Sequence, residues 1–167
     1  VSLSAVLASP VMSTTWPRRI LMALVLMAAA KGAAAEPAVL LGFVRNDTRM
    51  AVQHAVDGAS RRLEQPECQR VFGDFSLAVP AAGHFAPVRF IDDSGAPQCA
   101  RGSTLAFTEP GGRVIHICGN QFRSRFQVDP ARAEIIVIHE LLHVLGLGEN
   151  PPTSDAITAQ VTARCAP

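Results

Sequence analysis

The chain of 167 residues has no tyrosine, one tryptophan, and aromatic side chains at only 5% of its positions. Without tyrosine, no phenol is available for chemistry at any site. Its four cysteines include no C-x-x-C pair, which argues against a zinc held by cysteines. No charge run dominates. The formal net charge is +1, and removing Arg18, Arg19 and Lys31 of the first 35 residues leaves 12 basic side chains against 14 acidic ones. That balance of −2 gives no electrostatic footprint for nucleic acid. No internal repeat, coiled coil or low-complexity tract follows residue 35.

What is present begins with a targeting pattern. Arg18-Arg19 precede an apolar run from Ile20 to Ala30, and Lys31-Gly32 and Ala33-Ala34-Ala35 follow. A basic start, a short apolar run and an A-x-A ending predict a secretory signal over residues 1–35, cut after Ala35. Met12 as the start would give a more conventional signal length. The run is short for a membrane span, so no stable membrane association is expected after cleavage. The mature part, residues 36–167, is expected to be one exported domain, periplasmic or secreted, and a monomer. It holds all four cysteines, Cys68, Cys99, Cys118 and Cys165. An even count in an exported small domain suggests two disulfides. Three pairings are open; Cys68–Cys99 with Cys118–Cys165 is preferred, because the second would tie the last helix to the strand before the most apolar helix.

The coarse pattern is α+β. A helix is expected from Asn46 to about Leu63, capped by Asn46 or Asp47, with a stripe of Ala51, Val52, Ala55, Val56, Ala59 and Leu63. His54 falls on its outer side. Gln65-Pro66 breaks that helix, and Cys68–Phe72 makes a short turn. Short strands follow at Phe75–Val79, Pro87–Ile91, Leu105–Thr108 and Arg113–Cys118, the last two joined as a hairpin through Pro110-Gly111-Gly112. Asp129-Pro130 opens a helix that runs to about Leu145. Thr153 or Ser154 caps a final helix ending near Arg164, with Ile157 and Val161 inward.

The chemistry concentrates in His139-Glu140-Leu141-Leu142-His143-Val144-Leu145-Gly146-Leu147-Gly148-Glu149. On a helix, His139 and His143 lie one turn apart on one face, so both imidazoles reach a single metal. Glu140 sits about 100° round from His139, beside that metal without ligating it. Neutral imidazoles suit Zn²⁺, and a carboxylate next to a bound water is the general base of metal-assisted hydrolysis. Gly146 lets the helix stop and the chain turn back, bringing Glu149 round as third ligand and leaving a fourth position open. The alternative is a buried helix carrying two core histidines, but burying His, Glu and His among Ile135–Ile138 and the leucines without a metal is costly. Asp155, at the start of the final helix, is the rival third ligand.

These eleven residues resemble the zincin metalloproteases and, more narrowly, the metzincin pattern H-E-x-x-H-x-x-G-x-x-H. The resemblance assigns His139 and His143 as the first two ligands, Glu140 as general base, Gly146 as the turn glycine, and puts Glu149 where the last histidine stands. Every methionine (12, 22, 27 and 50) precedes the motif, so the metzincin methionine turn is missing. The stretch from Ile138 to Pro152 is also similar to a group of small exported bacterial proteins of unassigned activity. In zincins the strand before the metal helix borders the cleft and pairs with an extended substrate. By resemblance that strand is Arg113–Cys118, with Ile115 and Ile117 on one face and Val114, His116 and Cys118 on the other. His116 becomes a candidate for substrate binding in place of the absent tyrosine, against the alternative of a structural histidine with its hydrogen bonds satisfied. Arg123, Arg125 and His84 are expected to be exposed.

The resulting expectation is a small zincin-like α+β domain: an N-terminal helix, a short mixed sheet, the metal helix and a C-terminal helix. Its function would be that of a zinc-dependent endopeptidase acting on peptide or protein substrates. The alternatives are a metal-binding module without hydrolytic activity and a disulfide-stapled structural or inhibitor-like domain.

Overall fold

The computed structural model describes residues 39–43, 45–80, 83–86 and 88–166. The expected signal, residues 1–35, lies outside them. In chain order the elements are β1 (Val39–Leu41), α1 (Asn46–Leu63), α2 (Pro66–Asp74), β2 (Arg89–Asp92), a 3-10 turn (Pro97–Arg101), β3 (Ala106–Phe107), β4 (Val114–Ile117), α3 (Gly119–Val128), α4 (Pro130–Val144) and α5 (Ser154–Cys165). The class is α+β, as the pattern predicts. Among the described residues, no helix is long and apolar enough to cross a membrane.

The strands form one mixed sheet in the order β1-β2-β4-β3. β1, β2 and β4 run parallel, with Phe90 opposite Ile115, and β3 returns antiparallel with Ala106 opposite Ile117 and Phe107 opposite His116. β4 is therefore an inner strand, and the edges of the sheet are β1 and β3. This corrects the expectation that Arg113–Cys118 receives a substrate strand, because β2 runs along one side of it and β3 covers His116 and Ile117 on the other.

α4 is the central helix, packed against α1, α3 and α5 and touching β3 and β4. Ile135, Val137, Ile138, Leu141 and Leu142 are all buried, which explains an apolar sequence with no polar face. Asp129 caps it as predicted, its carboxylate accepting from the Arg132 amide at 3.0 Å, with Pro130 in the first turn. The predicted stripe of α1 is buried throughout and His54 is exposed. Its N-cap position, however, is Arg45, because Asp47 turns its carboxylate to the Arg45 guanidinium and the Thr48 amide.

Three further elements depart from the pattern. Phe75–Val79 is irregular, since Ser76 takes a left-handed φ of 56° and the Leu77 amide folds back to the Phe72 carbonyl. β1 takes its strand form from pairing with β2, a partner about fifty residues away that no local pattern announces. α3 was not expected at all, and its signal is weak: among its side chains only Phe122 is fully buried, with Phe126 partly so, one turn apart.

Two disulfides are present, Cys68–Cys165 and Cys99–Cys118, in place of the preferred pairing. The reason is packing. α2 lies on α5, where Arg164 also reaches Glu67 and Asp74, and this brings Cys68 to the last helix. The 3-10 turn lies against the end of β4, where Gln121 donates to the Cys99 carbonyl. Two disulfides fit an exported protein.

A half-buried ion pair joins the helices across the core. Arg62 on α1 holds Glu134 on α4 at 2.6 Å and donates to the Cys165 carbonyl of α5 at 2.6 Å. The Glu134 carboxylate lies in the space that a Cβ on Gly58 would fill. Gly58→Ala should therefore dislodge Glu134 and destabilise the fold by about 0.5–2 kcal/mol, the loss of a charged hydrogen bond of about 1.5–3 kcal/mol less about 1 kcal/mol of helix propensity. In a Glu134→Ala background the same change should stabilise. Denaturant midpoints of the four proteins test this, and additive effects would refute it.

Candidate metal centre

His139 and His143 leave α4 one turn apart and bring their Nε2 atoms to 2.9 Å. Glu149 Oε1 lies 3.2 Å from His143 Nε2 and 3.6 Å from His139 Nε2. These three residues form a group that could hold a metal ion. Three donors about 2.0–2.1 Å from one ion at tetrahedral angles stand about 3.3 Å apart, so the observed triangle fits a single first-row ion. Asp155, the rival ligand, is exposed and outside the triangle, although it lies on the wall of the same cleft.

The way α4 ends explains how Glu149 arrives. Gly146 has φ +102°, its amide bonds the His143 carbonyl, and the Leu147 amide bonds the Leu142 carbonyl. That pair of bonds is a Schellman stop, which turns the chain back along the helix. It also presents the Leu147 carbonyl to His143 Nδ1 at 2.6 Å. A carbonyl only accepts, so neutral His143 carries its proton on Nδ1 and directs a lone pair from Nε2 into the site. Thr158 Oγ1 on α5 stands 2.8 Å from His139 Nδ1 and can hold that ring in the same way. With both protons on Nδ1, two lone pairs face each other at 2.9 Å, an arrangement that a cation between them relieves.

Burial, reinforced by the neighbouring His143 and opposed by Glu149, holds the pKa of His139 well below the ordinary imidazole range. It stays neutral, as a ligand must. The two histidines are buried, whereas the Glu149 side chain is 49% exposed, so the triangle opens to solvent on the carboxylate side. An open position separates a catalytic arrangement from a closed structural one.

Glu140 is the most unusual group. It is buried, and its Oε2 has no hydrogen-bond partner. Desolvation pushes its pKa up to about 8, against a lowering influence from the Thr108 hydroxyl and with a small rise from Glu149. Thr108 Oγ1 is buried without a closed hydrogen bond as well. Both line a cavity of about 460 Å³ with Phe107, His139, His143 and Glu149. An unpartnered carboxyl beside three converging donors is poised to accept or give a proton there.

Compared with protein-family models, curated proteins and solved structures, the chain matches none of them. The chemistry of the site therefore rests on its own geometry.

His139, Glu140, His143 and Glu149 come together as the spacing predicts. His116 does not join them. Its Nδ1 pairs with Asp93 Oδ2 at 2.9 Å and its ring stacks on Phe107, with centroids 4.6 Å apart. Phe107, not His116, lines the cavity. Arg125 is exposed as expected, but Arg123 is half-buried and turned toward Asp47 at 3.4 Å. His84 is half-buried against Phe72, and desolvation lowers its pKa. Two contributors escape the sequence: Thr158, one threonine of an unremarkable final helix, and the Leu147 carbonyl, which no residue type encodes. The only cue to the second is Gly146, whose stop creates it.

Proposed function

We propose that this chain is an exported zinc metallopeptidase of zincin type, with His139, His143 and Glu149 as ligands and Glu140 as general base. The observation that carries the reading is the buried, unpartnered Glu140 carboxyl beside three converging donors, on a cavity open to solvent. Zinc, when bound, supplies a Lewis acid that polarises a carbonyl and lowers the pKa of water to about 7.

The residues of the chain do the rest. Glu140 takes a proton from a cavity water as the water oxygen bonds to the peptide carbonyl carbon. It then delivers that proton to the amide nitrogen as the carbon–nitrogen bond breaks. Thr108 faces Glu140 and can donate to its carboxylate form. Leu147 and Thr158 keep the ligand nitrogens unprotonated. β3 presents its free backbone edge beside the cavity, where Ala106 and Phe107 lie, so an extended peptide can be aligned by strand addition.

Two histidines and one carboxylate are also the donor set of non-haem iron(II) sites. A buried carboxyl placed to move a proton favours hydrolysis. The test is metal content of the disulfide-intact protein beside His143→Ala, followed by turnover of a peptide library. The expected result is near one zinc per chain, lost in the variant, with zinc-dependent cleavage. Iron instead of zinc, or no metal in a folded sample, refutes the proposal. Zinc without cleavage of any peptide leaves a metal-binding module.

A further inference from the structure

Beyond the three donors the cleft continues into a second arm of about 400 Å³. Arg125 on α3, Arg132 and Ile136 on α4 and Asp155 on α5 line it, and it shares His139 and Glu140 with the arm already described. Arg132, Ile136 and His139 follow one face of α4, at intervals of four and three residues, so the second arm is reached directly from the donors.

Elsewhere arginines that approach a carboxylate bind it: Arg62 holds Glu134, and Arg164 holds both Glu67 and Asp74. In this arm Asp155 is on the same wall, yet neither Arg125 nor Arg132 forms an ion pair among the described residues. Arg132 is half-buried and lines the same arm as His139. Neither guanidinium is held by Asp155, so both forks keep unused donors on the wall of the arm. Ile136, on the same wall, offers apolar surface for a short aliphatic stem.

We propose that this arm binds a carboxylate of the substrate, and so selects peptides carrying one next to the bond cleaved. The word substrate rests on the peptidase reading; the carboxylate site does not. Guanidinium recognises carboxylate by paired, parallel hydrogen bonds, a geometry that an amide of the same shape cannot fully satisfy. The carboxylate has two possible sources, an aspartate or glutamate side chain or the C-terminus of the peptide.

The test uses three fluorescent peptides of one sequence: an internal glutamate with an amidated C-terminus, glutamine there with an amidated C-terminus, and glutamine with a free C-terminus. Affinities are read by anisotropy on the oxidised, zinc-loaded protein at 4 °C and again after chelation, for wild type, Arg125→Gln and Arg132→Gln. One carboxylate peptide should bind about tenfold or more tighter than the uncharged one, before and after chelation. The tighter of the two identifies the source. The preference should fall toward unity in both variants, with zinc content unchanged. Equal affinity for all three peptides, including no measurable binding, overturns the inference, as does a preference that survives in both variants. A preference that vanishes on chelation but ignores the arginines assigns the carboxylate to the metal and overturns it as well. If the preference holds and no peptide is cut, the peptidase reading fails alone; if peptides are cut with no preference, this inference fails alone.

Discussion

Glu140→Gln should keep the metal and lose about two to four orders of magnitude in peptide turnover, the usual contribution of a positioned general base. Glutamine fills the same space and ligates nothing here, so zinc stoichiometry should not change. The same substitution has a second consequence that does not depend on activity. The carboxyl has its pKa raised from 4.5 to about 8 by burial. Between those values the folded chain retains a proton that the unfolded chain has released, so raising the pH favours unfolding. The stability tied to this group is complete below pH 4.5 and is lost as the pH rises through about 8. Glutamine does not titrate. In chelated protein the variant should therefore gain on wild type from pH 5 to pH 8, by several kcal/mol at about 1.4 kcal/mol per pH unit. His139, whose folded pKa is lowered, acts in the opposite sense but equally in both proteins. Urea midpoints at the two pH values measure the difference. Parallel pH profiles would mean that Glu140 is not a buried acid, and unchanged turnover would remove it from the chemistry.

The disulfides should differ in their effect by position. Cys68–Cys165 closes a separation of 97 residues and Cys99–Cys118 one of 19. In the chain-entropy model these correspond to about 4.7 and about 3 kcal/mol, before any strain. The exposed contacts of Arg164 with Glu67 and Asp74 add little, since such pairs are worth about 0–1 kcal/mol each. Cys68→Ala with Cys165→Ala should therefore be the more damaging double change. It should also weaken metal binding by about tenfold or more, because α5 carries Thr158 and loosening it frees the His139 ring. Unfolding curves and zinc competition titrations check both. If the Cys99 and Cys118 changes prove more damaging, the anchoring role given to α2 and α5 is wrong.

What could be read from the sequence was what is local. Asp129-Pro130, the apolar run, His139 and His143 at helical spacing and the stop at Gly146 all act within a few residues of each other. They define α4 and place three of the four site residues without reference to the rest of the chain. Glu149 follows because the stop fixes the direction of the next few residues. The pairing of cysteines, the existence of β1 and the edge position of β3 depend on which elements meet across tens of residues, and neither spacing nor composition encodes that. His116 shows the limit most clearly. Alternation gave it the correct face of β4, but Asp93 and Phe107, supplied by other segments, decide what it touches.

The distribution of the site along the chain orders its assembly in time. α1 and the sheet, which supply part of the packing around α4, come from residues before 118, and α3 and α5 complete it from either side of α4 in the chain. All three donors, the carbonyl that orients one ring and the hydroxyl that orients the other lie between residues 139 and 158. The bridge from Cys68 that anchors the helix bearing that hydroxyl closes only at residue 165. A chain made from its N-terminus thus receives most of its scaffold first and the triangle of His139, His143 and Glu149 late, with the helix and the bridge that steady His139 last of all.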